Sequence, residues 1–158
     1  MTRPALLSRI GAFLAAVGAV APKAAEATEA EWHLTDAQWR ARLDPQAFEV
    51  LRHHATEAPF SSPLDHEKRG GVYDCAGCAL ALFSSKTKFD SGTGWPSFYA
   101  PLPDAIGTKT DYELIVPRTE VHCRRCGGHL GHVFDDGPKP TGLRYCINGV
   151  ALTFKPEA

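Results

Sequence analysis

The chain has 158 residues, of which 44% are hydrophobic and 22% charged, which suits one ordered domain and excludes repeat arrays and large two-domain enzymes. Its formal net charge of -1 gives no electrostatic reason to expect a nucleic-acid partner. Five cysteines are an odd number, so at least one sulfur lies outside any set of intramolecular disulfides.

The N-terminal segment has the pattern of an export signal. An apolar run at 10–20 follows two arginines and is too short to span a bilayer comfortably. Ala25-Glu26-Ala27 then offers a small-residue cleavage site. We therefore predict a signal peptide at 1–27 and a mature domain at 28–158, exported to a bacterial periplasm without stable membrane insertion; an uncleaved anchor or a transit peptide is the alternative.

Two short helices are predicted after this segment. Thr35 and Gln38 match a capping box, which predicts a helix over Asp36 to Leu43. Asp44-Pro45 then combines an N-cap residue with proline at the first helical position. The second helix would turn four side chains inward, those of Phe48, Val50, Leu51 and His54.

Beyond Gly70 the chain breaks into short β-like runs separated by Gly, Pro, Asp and Asn, with no helix-length period. This predicts a mainly β domain with antiparallel sheets. The expected strands are 71–73, 79–83, 113–116, 120–122, 132–134, 143–148 and 151–154.

Two C-x-x-C pairs, Cys75 with Cys78 and Cys123 with Cys126, each place two sulfurs on one tight turn. Together they predict a four-thiolate zinc site that clamps distant parts of the sheet, with Gly77 and Gly127 where such turns favour glycine. Two structural disulfides, which an exported protein could form, and a thioredoxin-type redox pair are the alternatives.

Cys146 is left over from these pairs. If 143–148 is a strand, Cys146 shares one face with Arg144 and Asn148. A cation and an amide beside a thiol stabilise the thiolate, which is the nucleophilic form. A buried cysteine that serves only for packing is the alternative.

Two clusters could serve this thiol. His129 and His132 could supply a proton near neutral pH, although packing or surface roles are common for single histidines. Trp95 lies in a loop between Gly94 and Pro96, where the indole could be core filler or a rigid pocket wall suited to a methyl or thioether group.

Five segments of the chain match motifs of one known family, in that family's order. They are Cys75-x-x-Cys78, FDSGTGWPSF at 89–98, RTEVHC at 118–123, HLGHVFDDGP at 129–138 and PTGLRYCIN at 140–148. On these segments the chain resembles methionine sulfoxide reductase B, from about Leu34 to Phe154.

This resemblance implies a single domain of two antiparallel sheets with short N-terminal helices, stapled by structural zinc. It also implies reduction of methionine (R)-S-oxide in peptides, with oxidised proteins as substrates and a cysteine sulfenic acid as intermediate. The implied site consists of Cys146 as nucleophile, Trp95 against the S-methyl group, His129 and His132 at the sulfoxide oxygen, and Arg144 and Asn148 supporting the cysteine and a water.

Many members of that family carry a resolving cysteine where this chain has Thr93, or nearer the N-terminus. With four cysteines on zinc, no free thiol is left to form a disulfide with Cys146. We therefore expect an external thioredoxin-like reductant, with glutathione or another small thiol as the alternative, and a monomeric enzyme. Gly149 stands where a serine is more usual.

Two functions of other classes compete with a reductase. One is a zinc-dependent binding module that touches a partner through Arg124 and Arg125, against which the net charge and the lone Cys146 both argue. The other is a thiol-disulfide exchanger that uses one C-x-x-C pair.

Overall fold

The computed structural model describes residues 31–158. The predicted signal peptide at 1–27 lies outside these residues. Within the described part of the chain, no helix has the length and apolar character needed to cross a membrane.

In the described part of the chain, two short helices precede the sheets. Helix α1 spans Asp36–Arg40 and begins with the predicted capping box of Thr35 and Gln38, but it ends three residues earlier than expected. Helix α2 spans Pro45–His53 and buries the predicted Phe48, Val50 and Leu51. His54 is only half-buried, because it ends the helix in the left-handed conformation.

Within residues 31–158, nine strands form two antiparallel sheets, which confirms the predicted mainly β fold. The three-stranded sheet has the order β2-β1-β9, and the six-stranded sheet has the order β3-β4-β8-β7-β6-β5. The strands are β1 Gly71–Cys75, β2 Ala81–Ser84, β3 Lys88–Phe89, β4 Ser97–Phe98, β5 Ile106–Asp111, β6 Arg118–Cys123, β7 His129–Phe134, β8 Arg144–Ile147 and β9 Leu152–Pro156. Short 3-10 turns occur at Pro63–Asp65, Ser85–Thr87 and Gly149–Ala151.

The predicted strand at 113–116 is wrong. This segment is an exposed loop, and the strand before it is β5, which the sequence did not predict. The Asp111 carboxylate accepts a hydrogen bond from the Glu113 backbone N–H at 2.8 Å, and this Asx-type turn ends the strand. Since β5 is an edge strand with little buried surface, it lacks the alternation that marks a half-buried strand.

The register of the large sheet aligns polar residues in one row. Lys109 pairs with Glu120, Glu120 with His132, His132 with Cys146, and Cys146 with Ser97. Directly opposed residues of antiparallel strands point to the same face, so these side chains share one side of the sheet. A slip of one residue would turn a whole strand's contribution to the other side.

The core consists of apolar side chains from both helices and both sheets. Phe83 stacks on Phe98 with ring centroids 4.4 Å apart, and Tyr73 meets Phe98 edge-on at 5.0 Å. These contacts join the small sheet to the large one. They provide the rigid backing on which the polar row lies.

Candidate functional site

The four paired cysteines meet between the two sheets. Cys75 ends β1 of the small sheet and Cys123 ends β6 of the large sheet, and Cys78 and Cys126 follow on tight turns. All four are buried, their sulfur atoms lie within 4.8 Å of one another, and no pair is bonded. The separations are 3.7 Å between Cys75 and Cys126 and 3.5 Å between Cys78 and Cys123.

These distances fit zinc. Four thiolates on a tetrahedral zinc ion with Zn–S bonds of about 2.3 Å have sulfurs about 3.8 Å apart. The cluster therefore matches the expected four-thiolate centre.

The two cysteine turns are closed by the same type of backbone hydrogen bond. The N–H of Ala79 donates to the carbonyl of Cys75, and the N–H of Gly127 donates to that of Cys123. Gly127 has φ +66°, a conformation that favours glycine, and the residue at the equivalent place in the first turn is Ala79, at φ +56°. Gly77 does not have a positive φ; a Cβ at this position would lie 3.5 Å from the Trp39 ring and the Cys126 sulfur and 3.7 Å from the Cys75 sulfur.

Cations surround the cluster. Arg52 donates a hydrogen bond to the carbonyl of Cys126 at 2.9 Å, and Arg125 donates to that of Cys78 at 3.0 Å. Four thiolates around a divalent ion carry a net charge of -2. With an ion bound, the two guanidinium groups would offset that charge, and their hydrogen bonds fix both turns.

A pocket of about 310 Å³ opens beside the polar row of the large sheet. It contains five of the six predicted catalytic and substrate-binding residues, namely Trp95, His132, Arg144, Cys146 and Asn148. Five further residues complete the lining, namely Thr56, Thr93, Arg118, Gly131 and Phe134. His129 is not among the lining residues.

Cys146 lies on β8 between β4 and β7, with its thiol partly exposed to the pocket. Burial raises the pKa of this thiol above its ordinary value, and the positive charge of Arg144 and a hydrogen bond with Thr93 only partly oppose the rise. The predicted stabilisation by Arg144 is present, but the net direction differs from the prediction. Cys146 is therefore a thiol at neutral pH until its proton is removed.

Arg144 interacts with Cys146 and is held in place by the carboxylate of Asp136. Its guanidinium donates two hydrogen bonds of 2.8 Å to Asp136 and lies 4.4 Å from the centre of the Phe134 ring. A bidentate pair of this kind fixes the orientation of the cation. Asp136 lies inside the HLGHVFDDGP motif, yet sequence reasoning did not assign it to the site.

His132 is held by the end of β5. Its Nε2 lies 2.6 Å from Oδ2 of Asp111, and Arg118 donates to the same oxygen at 2.7 Å. Hydrogen bonds from the Glu113 backbone, His132 and Arg118 keep the pKa of Asp111 well below its usual range. The ionised carboxylate thus orients the imidazole that pairs with Cys146 across the sheet.

His129 is buried next to His132, on the side away from the pocket. Its Nδ1 is 2.8 Å from the Glu120 carboxylate, and its ring meets that of His132 edge-on at 5.4 Å. Burial lowers the pKa of His129, so the ring is biased towards the neutral form. Its predicted contact with a sulfoxide oxygen stays a prediction.

Glu120 is a buried carboxylate among cationic and imidazole groups. Burial acts to raise its pKa, but the hydrogen bond with His129 and the positive charge of Lys109 help to bring it below its ordinary value. Lys109 Nζ and His122 Nδ1 lie 3.4 and 3.5 Å from its Oε2. The nitrogen and oxygen atoms of His54, Glu120 and His129 lie within 4.8 Å of one another, but the two histidine rings are stacked, so their lone pairs do not converge. The arrangement favours an ion-pair network over a second metal site.

Trp95 is anchored through the segment that follows α2. Its indole N–H donates to the carbonyl of Glu57 at 3.2 Å. The buried Glu57 carboxylate in turn accepts hydrogen bonds from the backbone N–H groups of Gly149 and Val150. Glu57 therefore ties the wall of the pocket to the turn that follows Cys146, a role that no sequence motif indicated.

Asn148 has both ends of its amide committed to the backbone. Its Oδ1 accepts from the Glu57 N–H at 3.0 Å, and its Nδ2 donates to the carbonyl of Leu130 at 2.9 Å. The side chain lines the pocket while it joins the 56–57 segment to β7.

Gly149 is explained by packing outside the pocket. A Cβ at this position would lie 1.9 Å from the hydroxyl oxygen of Ser62, so a larger residue would displace that side chain. Glycine here leaves room for Ser62 and does not alter the pocket lining.

Comparisons with known proteins agree with this geometry. The family model described as the SelR domain matches residues 43–156. The chain is 58% identical over 121 residues to the peptide methionine sulfoxide reductase MsrB of Pseudomonas putida strain W619, an alignment that covers 76% of this chain and 91% of that protein.

Two proteins of the same name from other lineages are also similar. The one from Methanosarcina barkeri is 52% identical over 139 residues, with 87% of this chain and 93% of the relative covered. The one from Agrobacterium fabrum is 51% identical over 123 residues, with 77% and 91% covered.

Proposed function

The chain belongs to the methionine sulfoxide reductase B family, and we propose that it reduces methionine (R)-S-oxide in oxidised peptides and proteins to methionine. The observation that carries this proposal is the single pocket shared by Cys146, His132 and Trp95. It combines a thiol, a proton carrier and an apolar wall. The thiol and the proton carrier serve the reduction of a sulfoxide, and the apolar wall suits binding of its methyl group.

The chemical step is an oxygen transfer. Cys146 Sγ attacks the sulfoxide sulfur, and the oxygen passes from the substrate sulfur to Sγ. The cysteine is oxidised by two electrons to a sulfenic acid, while the sulfoxide is reduced by two electrons to a thioether. The thiol proton ends on the transferred oxygen, so atoms and charge balance.

His132 is the group that moves this proton. The raised pKa of Cys146 means that its proton is still present when the substrate arrives. Asp111 holds the imidazole beside the thiol, and an imidazole can accept and release a proton near neutral pH. Proton transfer to the sulfoxide oxygen makes the substrate sulfur more electrophilic as the Cys146 nucleophile forms.

The choice of epimer follows from the two walls of the pocket. Trp95 offers an apolar surface to the S-methyl group, while His132 and Arg144 offer polar groups to the oxygen. In the S epimer with the same backbone position, oxygen would face the indole. The R epimer is therefore the expected substrate.

We propose that an external thioredoxin-like dithiol recycles Cys146, with glutathione or another small thiol as the alternative reductant. The other four cysteines form the buried cluster, and Thr93 occupies a position of the pocket lining from which a cysteine could reach Cys146. A thioredoxin-like protein would attack the sulfenic acid, release water and form a mixed disulfide. Its second thiol would then restore Cys146 and leave the reductant as a disulfide.

Zinc completes the fold in this proposal. Cys75, Cys78, Cys123 and Cys126 would hold it, and it would supply cross-linking of the two sheets. The pocket residues perform the chemistry without it.

Export is proposed from the sequence of residues 1–27 alone. Mass spectrometry of protein recovered from the periplasm should find Thr28 at the N-terminus. Recovery of the full-length chain from the cytoplasm alone would contradict export.

Stereospecific turnover tests the function. Peptides that carry R or S methionine sulfoxide are incubated with the zinc-loaded protein and dithiothreitol, and methionine formation is measured by mass spectrometry. The R peptide should be reduced and the S peptide should not. Cys146→Ser should abolish the reaction; equal use of both epimers, or an active serine variant, would contradict the proposal.

A further inference from the structure

Exposed hydrophobic residues are concentrated on two segments beside the pocket. Among residues 31–158, five large hydrophobic side chains are strongly exposed. They are Phe60, Tyr112, Leu114, Ile115 and Val116, with exposed fractions between 58% and 103%. Single exposed hydrophobics are common, but a cluster of this kind marks a binding surface.

The loop at 112–117 is fixed to the pocket at both of its ends. Asp111, before the loop, contacts His132 at 2.6 Å, and Arg118, after it, lines the pocket and pairs with Asp111 at 2.7 Å. Both anchoring residues are polar, and they form an ion pair with each other. The apolar side chains between them are exposed to solvent. Because they are not buried, they contribute little to the stability of the fold.

Phe60 is joined to the loop that carries Trp95. Its backbone N–H donates to the carbonyl of Gly94 at 2.7 Å, and its ring lies close to the Gly94 backbone. Phe60 also has φ +62°, a conformation that bulky residues disfavour. Neither burial nor backbone preference accounts for phenylalanine at this position.

The two segments lie on different sides of Cys146. In the large sheet, β8 with Cys146 lies between β4 and β7. Phe60 is attached to the loop that leads into β4, whereas the 112–117 loop is attached to His132 on β7 and to the strands beyond it. A chain with one residue in the pocket would therefore meet an apolar surface on each side.

We propose that Phe60 and the 112–117 loop form a docking surface for an unfolded stretch of an oxidised polypeptide, binding apolar side chains on both flanks of the methionine sulfoxide. This inference rests on the proposed function. Methionine is mostly buried among apolar residues in folded proteins, so it is exposed together with apolar neighbours when the chain unfolds. Those neighbours complement the exposed surface and continue the pocket.

The test uses peptides of equal length that contain one R methionine sulfoxide. One carries leucines only before it, one only after it, and one carries serines on both sides; N-acetyl-methionine sulfoxide amide is the substrate without flanks. For the wild-type protein with dithiothreitol, each leucine peptide should have a KM about tenfold below that of the serine peptide, because partial burial of one or two apolar side chains stabilises binding to that extent.

Two variants separate the two sides of the surface. Leu114→Ser with Ile115→Ser should remove the preference for leucines on one flank, and Phe60→Ser should remove it on the other. Glu113→Ser is the matched control, since it changes the same loop without removing apolar surface, and both preferences should survive.

Three results would overturn the docking surface. They are equal KM values for all three peptides in the wild-type protein, loss of both preferences in Glu113→Ser, and retention of both in the apolar-to-serine variants. If the amide is reduced while the three peptides have equal KM values, the docking surface is contradicted and the reductase function is supported. If neither the amide nor any peptide is reduced, both fall.

Discussion

The four-cysteine cluster and the Cys146 pocket both depend on sulfur, but different levels of the fold build them. The cluster is made by two local turns, each of which brings its own pair of ligands. Cys146 is alone on its strand and acquires its neighbours through pairing with β4 and β7. In the cluster the sulfurs face one another; in the pocket one sulfur faces a histidine, an arginine and open space.

This difference explains how cysteine can have a structural role in one region and a reactive role in the other. Four buried sulfurs that bind a metal together would be shielded from oxidants and would hold the sheets together. A single partly exposed thiol with a cation and a proton carrier nearby is available for reaction. The neighbours of a cysteine decide whether it is structural or reactive.

The largest contrast is expected when one cysteine of each region is changed to serine. Cys78→Ser should lose the metal and lower the free energy of unfolding by at least about 3 kcal/mol, because folding is coupled to metal binding. Cys146→Ser should keep metal content and melting temperature, while turnover disappears. Metal analysis and thermal melting measure these effects. A Cys78→Ser protein with full metal content and an unchanged melting temperature would show that metal binding by the four cysteines does not hold the two sheets together.

A smaller contrast is expected within the pocket. His132→Ala should lower kcat about a hundredfold, since it removes a proton carrier from the transition state. Trp95→Ala should chiefly raise KM, by about tenfold, since it removes apolar contact area. Trp95→Phe is the control that keeps an apolar wall without the hydrogen bond to Glu57. A kcat effect from Trp95→Ala as large as that from His132→Ala would show that the two roles are assigned incorrectly.

The smallest contrast concerns the pH at which Cys146 reacts. Burial raises the pKa of this thiol, so the thiolate fraction should keep increasing at pH values above the ordinary cysteine pKa. The alkylation rate with iodoacetamide should therefore rise through that range. Arg144→Met should shift the profile to higher pH, because it removes the charge that favours the thiolate. A profile already level at neutral pH would contradict the balance between burial and Arg144.

The sequence predicted the cluster almost completely because its ligands are local. Cys75 and Cys78, like Cys123 and Cys126, lie three residues apart, and that spacing restricts them to one turn. The sequence does not reveal which residue of each turn adopts positive φ: it is Gly127 in one turn and Ala79 in the other.

The pocket was predicted only where motifs mark it. Trp95 and His132, which line the pocket, lie in recognisable segments, whereas Asp111 lies outside every matched segment and reaches the site through strand pairing that no local pattern specifies. Glu120 lies inside the RTEVHC segment, but its pairing with His132 is likewise set by the register of the sheet. Asp111 was hidden further by the incorrect strand at 113–116. Glu57 acts through backbone hydrogen bonds to residues about 90 positions away, and its own surroundings in the sequence carry no signal.

Single turnover without reductant tests most directly whether Cys146 alone reacts while the other four cysteines keep the metal bound. Wild-type protein given excess methionine sulfoxide peptide should form one methionine per chain, with one added oxygen on Cys146 and the metal retained. Thr93→Cys is the matched variant: it should form one methionine per chain with a disulfide between position 93 and Cys146, because both positions line one pocket. A disulfide from Cys146 to any of the four cluster cysteines in the wild-type protein, with release of metal, would contradict the account.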